Sequence, residues 1–298
     1  MKTNKTTKSY KDMTREERRE AAQAKAQAAL DRIGDGVRSV WSSEAWAQWL
    51  RTLAKFHDYS LNNTMLIAMQ MPEATRVASY RSWQKDFNRH VRKGEHGIGV
   101  LVPMVMKTKL GDSEETPQDD EDTPERRRLV GFKVGHVFDV SQTEGEPLPA
   151  IAEHVTGDVD RYDEVMDAIK AVSSYPVELV EGLPPETNGL FSRMGYIAIR
   201  AGMPQGQTVK TALHELAHSV LHDGDAEQLP DRAMREVQAE SVAYAVSAAL
   251  GLDTSGYSFG YVASWAVGKT DDEMRACMQV VRDAAKRIID KMDIVLAA

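Results

Sequence analysis

The chain has 298 residues, a formal net charge of −8 and a single cysteine, Cys277. A chain of this length is expected to form two domains, and a lone cysteine excludes an internal disulfide framework and agrees with a reducing cytoplasm. Residues 1–11 are polar and lysine-rich, and no apolar run reaches membrane-spanning length, so we expect a cytoplasmic protein without a membrane partner.

Charge is distributed unevenly along the chain. Residues 1–105 contain 18 Lys and Arg against 11 Asp and Glu, whereas the remaining residues contain 19 against 34. A basic first half suits a polyanion such as nucleic acid, which the acidic second half would repel. A lysine-rich leader combined with chance is the alternative explanation.

Helices are predicted at the start of the chain, after a disordered leader at residues 1–13. A capping box beginning at Thr14 opens a charged, alanine-rich helix, which we expect to run to about Ile33 and to end at Gly34 and Gly36. The next helix carries an apolar stripe formed by Trp46, Trp49, Leu50 and Leu53. A third helix of mixed apolar character follows.

The segment 79–97 alternates basic and aromatic side chains. Cations that follow phosphates, beside rings that stack on bases, are the components of a groove for single-stranded nucleic acid. A solvated basic helix face would show the same pattern. The candidate DNA-binding residues are Asn63, Arg81, Trp83, Lys85, Arg89, Arg92 and Lys93.

A sheet is predicted for the rest of the first half. One strand runs from Ile98 to Met104, and the sheet resumes over residues 129–140. The acidic, proline-containing residues 111–126 between them are predicted to form a disordered insertion. We place the first domain at residues 14–145 and a linker at residues 146–152.

The second domain is predicted at residues 153–298 and is mainly helical. A helix is expected near residues 161–173, followed by a short strand and a hairpin over residues 189–200. The last helix is capped at Thr270, and its apolar residues repeat at helical spacing as far as Val295. We expect that stripe to pack on the domain, with pairing to another chain as the alternative.

The motif His214-Glu215-Leu216-Ala217-His218 lies in a helix-forming run. Positions four apart share a helix face, so the two histidines present their rings to one ion with Glu215 beside them. A carboxylate from the next helix completes three protein ligands and leaves the fourth tetrahedral position to water, as in catalytic zinc. We assign Glu236 as this ligand and Glu240 as the acceptor for a ligand histidine; the reverse assignment stays open.

Three further predictions concern the chemistry of this motif. If the ion is Zn²⁺, its bound water is a usable nucleophile at neutral pH, and Glu215 is the expected general base. Tyr257 or Tyr261 is a candidate donor to a developing oxyanion, with core packing as the alternative. His222 is interpreted as a cation at the end of the helix, favoured by the helix dipole.

The motif resembles that of the zincin metallopeptidases that use a glutamate ligand. It is carried here by the two histidines, Glu215, Glu236 and Glu240, and it lacks the third histidine and the glycine spacing of the metzincins. In zincins an edge strand beside the motif helix pairs with extended substrate. That resemblance makes residues 196–200 our candidate edge strand.

A second resemblance, to the ArdC-type antirestriction family, is carried by Val91-Arg92-Lys93-Gly94-Glu95-His96-Gly97, with Trp83 before it and a strand after it. The similarity runs from about Phe56 to Glu144. It implies an α+β protein with two domains. The first is a mixed helix and antiparallel-sheet domain that binds single-stranded DNA, and the second is a zincin-like, mainly helical domain with a small sheet.

The resemblance implies single-stranded DNA binding and protection of incoming DNA from restriction. Our first hypothesis is therefore a zinc peptidase, tethered to DNA, that protects a mobile element's DNA by binding single strands and cutting an unidentified bound protein. Two alternatives remain. The chain is a non-catalytic single-strand-binding protein whose zinc is structural or vestigial, or it is a regulatory metalloprotease that cleaves a repressor.

Overall fold

The computed structural model describes residues 13–108, 126–148, 161–225, 228–254, 257, 259 and 262–297. Most of the predicted leader, acidic insertion and linker lies outside the described residues. None of the described helices combines the length and the apolar character needed to cross a bilayer. The helices are α1 (Arg15–Ser39), α2 (Ser43–Lys55), α3 (Leu61–Gln70), α4 (Tyr80–Lys85), α5 (Tyr162–Val172), α6 (Gln205–Leu221), α7 (Arg232–Ala249), α8 (Val262–Ala266) and α9 (Asp271–Leu296). The strands are β1 (Val77–Ser79), β2 (Arg89–Val91), β3 (Ile98–Thr108), β4 (Arg126–Asp139), β5 (Thr143–Gly145), β6 (Val177–Val180), β7 (Gly189–Ser192) and β8 (Tyr196–Arg200).

The first half combines helices with an antiparallel sheet, which confirms the predicted fold class. Its strands are ordered β1-β4-β3, with Ile98 opposite Val137 and a register shift between Met104 and Val105. β2 and β5 form a separate antiparallel pair. The sheet packs on α3 through a small apolar cluster that includes Ile98, Val137 and Ile67.

Two side-chain amides of α3 occupy the outer edge of β3, which is the last strand of this sheet. Asn63 accepts from the Leu101 N–H at 2.8 Å and donates to the Leu101 carbonyl at 3.0 Å. Gln70, two turns later, makes the same pair of bonds with Gly99, both at 2.9 Å. Because an open strand edge invites pairing with other strands, α3 closes this edge as well as contributing to the core.

α1 continues through Gly34 and Gly36 to Ser39, so the predicted helix end was wrong. A glycine inside a helix costs about 1 kcal/mol relative to alanine. At Gly36 the missing side chain makes room for α3, because a Cβ there would lie 2.4 Å from the sulfur of Met69. Gly36 therefore lies where α1 contacts α3 rather than at the end of the helix.

The sheet of the second half is small and mixed, with strand order β6-β8-β7. β8 pairs in parallel with β6 and antiparallel with β7. The prediction that residues 196–200 form the edge strand is therefore wrong, because both sides of that strand are paired. The edge strand that contacts the motif helix α6 is β7.

One continuous hydrophobic core joins helices from both halves of the chain. Trp46 on α2 is fully buried, and its indole N–H donates to Ser241 on α7 at 2.9 Å. Arg282 on α9 donates to the carbonyl of Tyr59 at 2.7 Å. As predicted, α9 buries a stripe formed by Met274, Met278, Val281, Ala285, Ile288 and Met292, whereas Val295 at its end is exposed. The division into two domains stays a prediction.

We expect Asn63→Leu to lower the free energy of unfolding by about 1–3 kcal/mol, because it leaves the buried N–H and carbonyl of Leu101 without partners. Urea unfolding followed by circular dichroism measures the change. Gln279→Leu on the exposed face of α9 is the control, since the only side chain among the described residues to which Gln279 bonds is the nearby Asp283. An unchanged unfolding midpoint in Asn63→Leu would contradict the edge-closing role.

Candidate metal site

Helices α6 and α7 bring the three candidate metal ligands together. His214 and His218 are one turn apart on α6, and Glu236 lies near the start of α7, where Asp231 caps the helix by accepting the Met234 N–H at 2.8 Å. The two histidine Nε2 atoms are 3.0 Å apart. Glu236 Oε2 lies 3.5 Å from the first and 3.7 Å from the second.

This triangle fits a tetrahedral metal. Zinc bonds of about 2.0–2.1 Å at tetrahedral angles put neighbouring ligand atoms about 3.3 Å apart, and the three observed separations of 3.0, 3.5 and 3.7 Å bracket that value. The same three side chains line a single cavity of about 610 Å³. The donor set, two imidazoles and one carboxylate, is one that zinc accepts.

Glu240 lies on the opposite side of the His214 ring from Glu236. Its Oε2 is 3.1 Å from His214 Nδ1, and its other oxygen is 3.5 Å from the Lys210 ammonium. A carboxylate on Nδ1 orients the ring and leaves Nε2 for an ion. The geometry therefore favours Glu236 over Glu240 in the ligand triangle.

His222 is buried at the end of α6, with 4% of its surface exposed. Burial lowers its pKa to about 4, so the side chain is neutral, and its interpretation as a helix-end cation is wrong. Its Nδ1 lies 2.9 Å from the Nδ1 of His218, and its Nε2 lies 3.0 Å from the Oε1 of Gln238 on α7. The spacing of four from His218 was the available sequence signal, but the sequence did not reveal the burial.

These bonds determine where the ring protons lie. Since a carbonyl oxygen only accepts, His222 donates from Nε2 to Gln238, and its Nδ1 accepts from the Nδ1–H of His218. His218 then keeps a lone pair on Nε2, the atom that faces His214 and Glu236. That tautomer is the one a metal ligand requires.

His214 is protonated when no metal is bound. Burial disfavours its charge, but the carboxylates of Glu236 and Glu240 outweigh burial and raise its pKa to about 9. The protonated His214 beside it holds the pKa of Glu236 well below its usual range. In the metal-free site, the proton on His214 thus provides the positive charge beside these carboxylates that a bound metal ion would otherwise provide.

Glu215 is held beside the triangle by the edge strand β7. Its side chain is 8% exposed, burial raises its pKa, and the backbone N–H of Phe191 donates to its carboxylate. Gly189 on the same strand has no space for a side chain, because a Cβ there would lie 2.6 Å from Thr211 and 3.0 Å from Glu215. The close approach of β7 to α6 therefore requires this glycine.

The position of Tyr257 does not support a role as an oxyanion donor. Tyr257 is outside the cavity lining, its hydroxyl is 2.9 Å from that of Ser247, and the Lys210 ammonium lies 4.1 Å from the centre of its ring. Tyr261 lies outside the described residues. The contacts of Tyr257 match the alternative of core packing.

Several candidate DNA-binding residues form hydrogen bonds or ion pairs with other residues of the protein. Trp83 is fully buried and donates its indole N–H to the Phe138 carbonyl at 2.8 Å. Arg89 bonds to the hydroxyl and the carbonyl of Thr143. Arg92 is exposed and pairs with Glu95 at 2.7 Å. Asn63 closes the edge of β3, as described above. The remaining candidates, Arg81, Lys85 and Lys93, are exposed.

Comparison with known proteins supports the ArdC resemblance. Residues 28–138 match the family model of the N-terminal domain of anti-restriction factor ArdC, which confirms the resemblance for that region. An uncharacterized protein of Bacillus anthracis is 26% identical over 324 aligned residues, covering 97% of this chain and 54% of the relative, so the chain spans about half the length of that relative.

Two crystal structures of a plasmid-encoded antirestriction protein ArdC are also similar. The metal-free structure shares 19% identity at a TM-score of 0.46, covering 80% of this chain and 84% of that chain. The Mn(II)-bound structure shares 18% identity at a TM-score of 0.44, covering 80% of this chain and 87% of that chain.

Metal affinity is expected to rise about tenfold per pH unit from neutrality up to about pH 9, because binding must displace the His214 proton that the metal-free site holds. Calorimetric titration of Zn²⁺ in buffers of different ionisation enthalpy counts the released protons. An affinity that is constant across this range would contradict the protonated state of His214.

Proposed function

We propose that this ArdC-like chain is an antirestriction-type protein of a mobile element, which binds single-stranded DNA and carries a zinc-dependent peptidase site. The observation that carries the peptidase part is the ligand triangle of His214, His218 and Glu236 with the buried Glu215 beside it. The match of residues 28–138 to the ArdC N-terminal domain supports the antirestriction part.

The peptidase mechanism assigns each side chain one role. His214, His218 and Glu236 would hold a zinc ion, which would lower the pKa of a bound water to about 7. Glu215 takes the proton from the attacking water and returns it to the leaving amine. The Phe191 N–H holds this carboxylate in place, and Glu240 orients the ring of His214.

The site favours a catalytic over a purely structural metal. Structural zinc sites are closed by four protein ligands, whereas catalytic sites supply three and leave one position open. Among the described residues only His214, His218 and Glu236 have ligand atoms that converge at this point, and all three line the cavity. A structural or vestigial zinc and a repressor-cleaving protease remain the alternatives.

Glu215→Gln is expected to retain about one zinc per chain and to lose peptide hydrolysis, because the amide keeps the shape of the side chain but does not accept the proton. Zinc is measured by elemental analysis after dialysis, and hydrolysis by mass spectrometry of a mixed peptide library. His214→Ala is the matched control that should lose the zinc itself. Hydrolysis retained by zinc-loaded Glu215→Gln would refute the mechanism.

For DNA binding, the exposed cations of the first half are the proposed contacts. Replacing Arg81, Lys85 and Lys93 by glutamine should weaken binding of single-stranded oligonucleotides, and should reduce the slope of log affinity against log salt by about 2. Fluorescence anisotropy over a salt series measures both quantities. Lys170→Gln with Lys291→Gln, also exposed, is the control. An unchanged slope in the triple variant would exclude these residues as phosphate contacts.

A further inference from the structure

The cavity around the metal site contains cations that the proposed mechanism does not use. Its lining includes Arg193, Lys210, Arg232 and Arg235. Lys210 is engaged by Glu240 and by the ring of Tyr257. The three arginines form no ion pair with a carboxylate among the described residues, so their charge is available to a ligand.

Two of these arginines occupy an unfavourable position. Arg232 is the first residue of α7, directly after its cap Asp231, and Arg235 lies in the first turn, which itself contains no acidic residue. Cations at a helix N-terminus oppose the helix dipole. Arg235 also has a buried Nε without a hydrogen-bond partner in the part of the chain that the structure describes. An anion in the cavity that pairs with the guanidinium groups would offset the opposing helix dipole.

The arginines lie toward one end of the cavity. Arg193, in the turn after β7, donates to the carbonyl of His222 at 3.3 Å, and Arg235 is close enough to disfavour a charge on His222. The opposite end of the α6 face in the cavity carries the neutral Gln207 and Thr211 and the cation Lys210, which Glu240 already pairs. The cations without a carboxylate partner among the described residues therefore lie at the end beyond His218.

We propose that this end of the cavity is a subsite for an acidic side chain of a peptide substrate. The inference rests on the proposed peptidase function and names its substrate class. Apart from Glu215, Glu236 and Glu240, which serve the metal site, the lining contains one acid, Glu186, and its large apolar side chains are Leu190 and Phe191. We therefore expect the cavity to select a substrate side chain by its charge rather than by its apolar surface.

A peptide fits this site better than a nucleic acid. Among the described strands, β7 pairs with another strand on one side only. Its Phe191 N–H is bonded to Glu215, and an extended peptide can lie along the rest of that edge, between the metal site and Arg193. The protein as a whole carries a net charge of −8, which repels acidic ligands in general. A preference for acidic peptides must therefore come from a local feature.

The test uses the zinc-loaded Glu215→Gln protein, in which bound peptide is not consumed. Two short fluorescent peptides are compared by anisotropy, identical except that the central pair is glutamate in one and glutamine in the other. The glutamate peptide should bind at least about tenfold more tightly. Arg232→Met and Arg235→Met, each added to Glu215→Gln, should each reduce that ratio, whereas Arg287→Met, at an exposed arginine of α9 outside the cavity, should leave it unchanged.

Three outcomes would overturn the subsite. These are equal binding of the two peptides, a glutamate preference that survives in both the Arg232→Met and Arg235→Met proteins, and displacement of the peptide by a short oligothymidylate whose own binding depends on the same arginines. The last result would make the site a phosphate site. Because binding is read in a variant that does not cut, absence of cleavage by the wild-type protein would count against the peptidase function alone.

Discussion

The packing of α6 against α7 is the constraint on which the candidate site depends. α6 supplies two imidazoles and Glu215, and α7 supplies the carboxylates of Glu236 and Glu240. Each helix buries alanines completely, among them Ala217 on α6 and Ala239 on α7, and small side chains let helices approach closely. A metal site tolerates ligand displacements of only about 0.2 Å, so small changes in this packing decide whether an ion is bound.

The helices of the first half support this arrangement. The N–H of Trp46 reaches Ser241, the residue that follows Glu240 on α7, and Trp46 packs between Trp41 and Trp49 with ring centres 4.5 and 4.8 Å away. Because α2 and α7 share one core, the region that matches the ArdC N-terminal domain contacts the helix that carries Glu236. Changes in the first half can therefore reach the metal site without touching a ligand.

A buried chain of hydrogen bonds connects the site to the core. It passes from His218 to His222, to Gln238 on α7 and to the thiol of Cys277 on α9. A buried network of polar groups lowers the stability of a protein unless every group in it is hydrogen-bonded. The bonds that satisfy these groups also select the His218 tautomer, so the stability of the core and the chemistry of the site depend on the same contacts.

The features that could be predicted from the sequence alone are those that depend on the spacing of residues within one helix. Residues four apart share a face in any helix, so the histidine pair, the apolar stripe of α9 and the α2 stripe were predictable. Glu236 facing both histidines, the burial of His222 and Trp83, and β7 replacing residues 196–200 as the edge strand were decided by tertiary structure. Each of these three features depends on which helix or strand packs beside the residue. That neighbour comes from a distant part of the chain and is brought there only by tertiary packing.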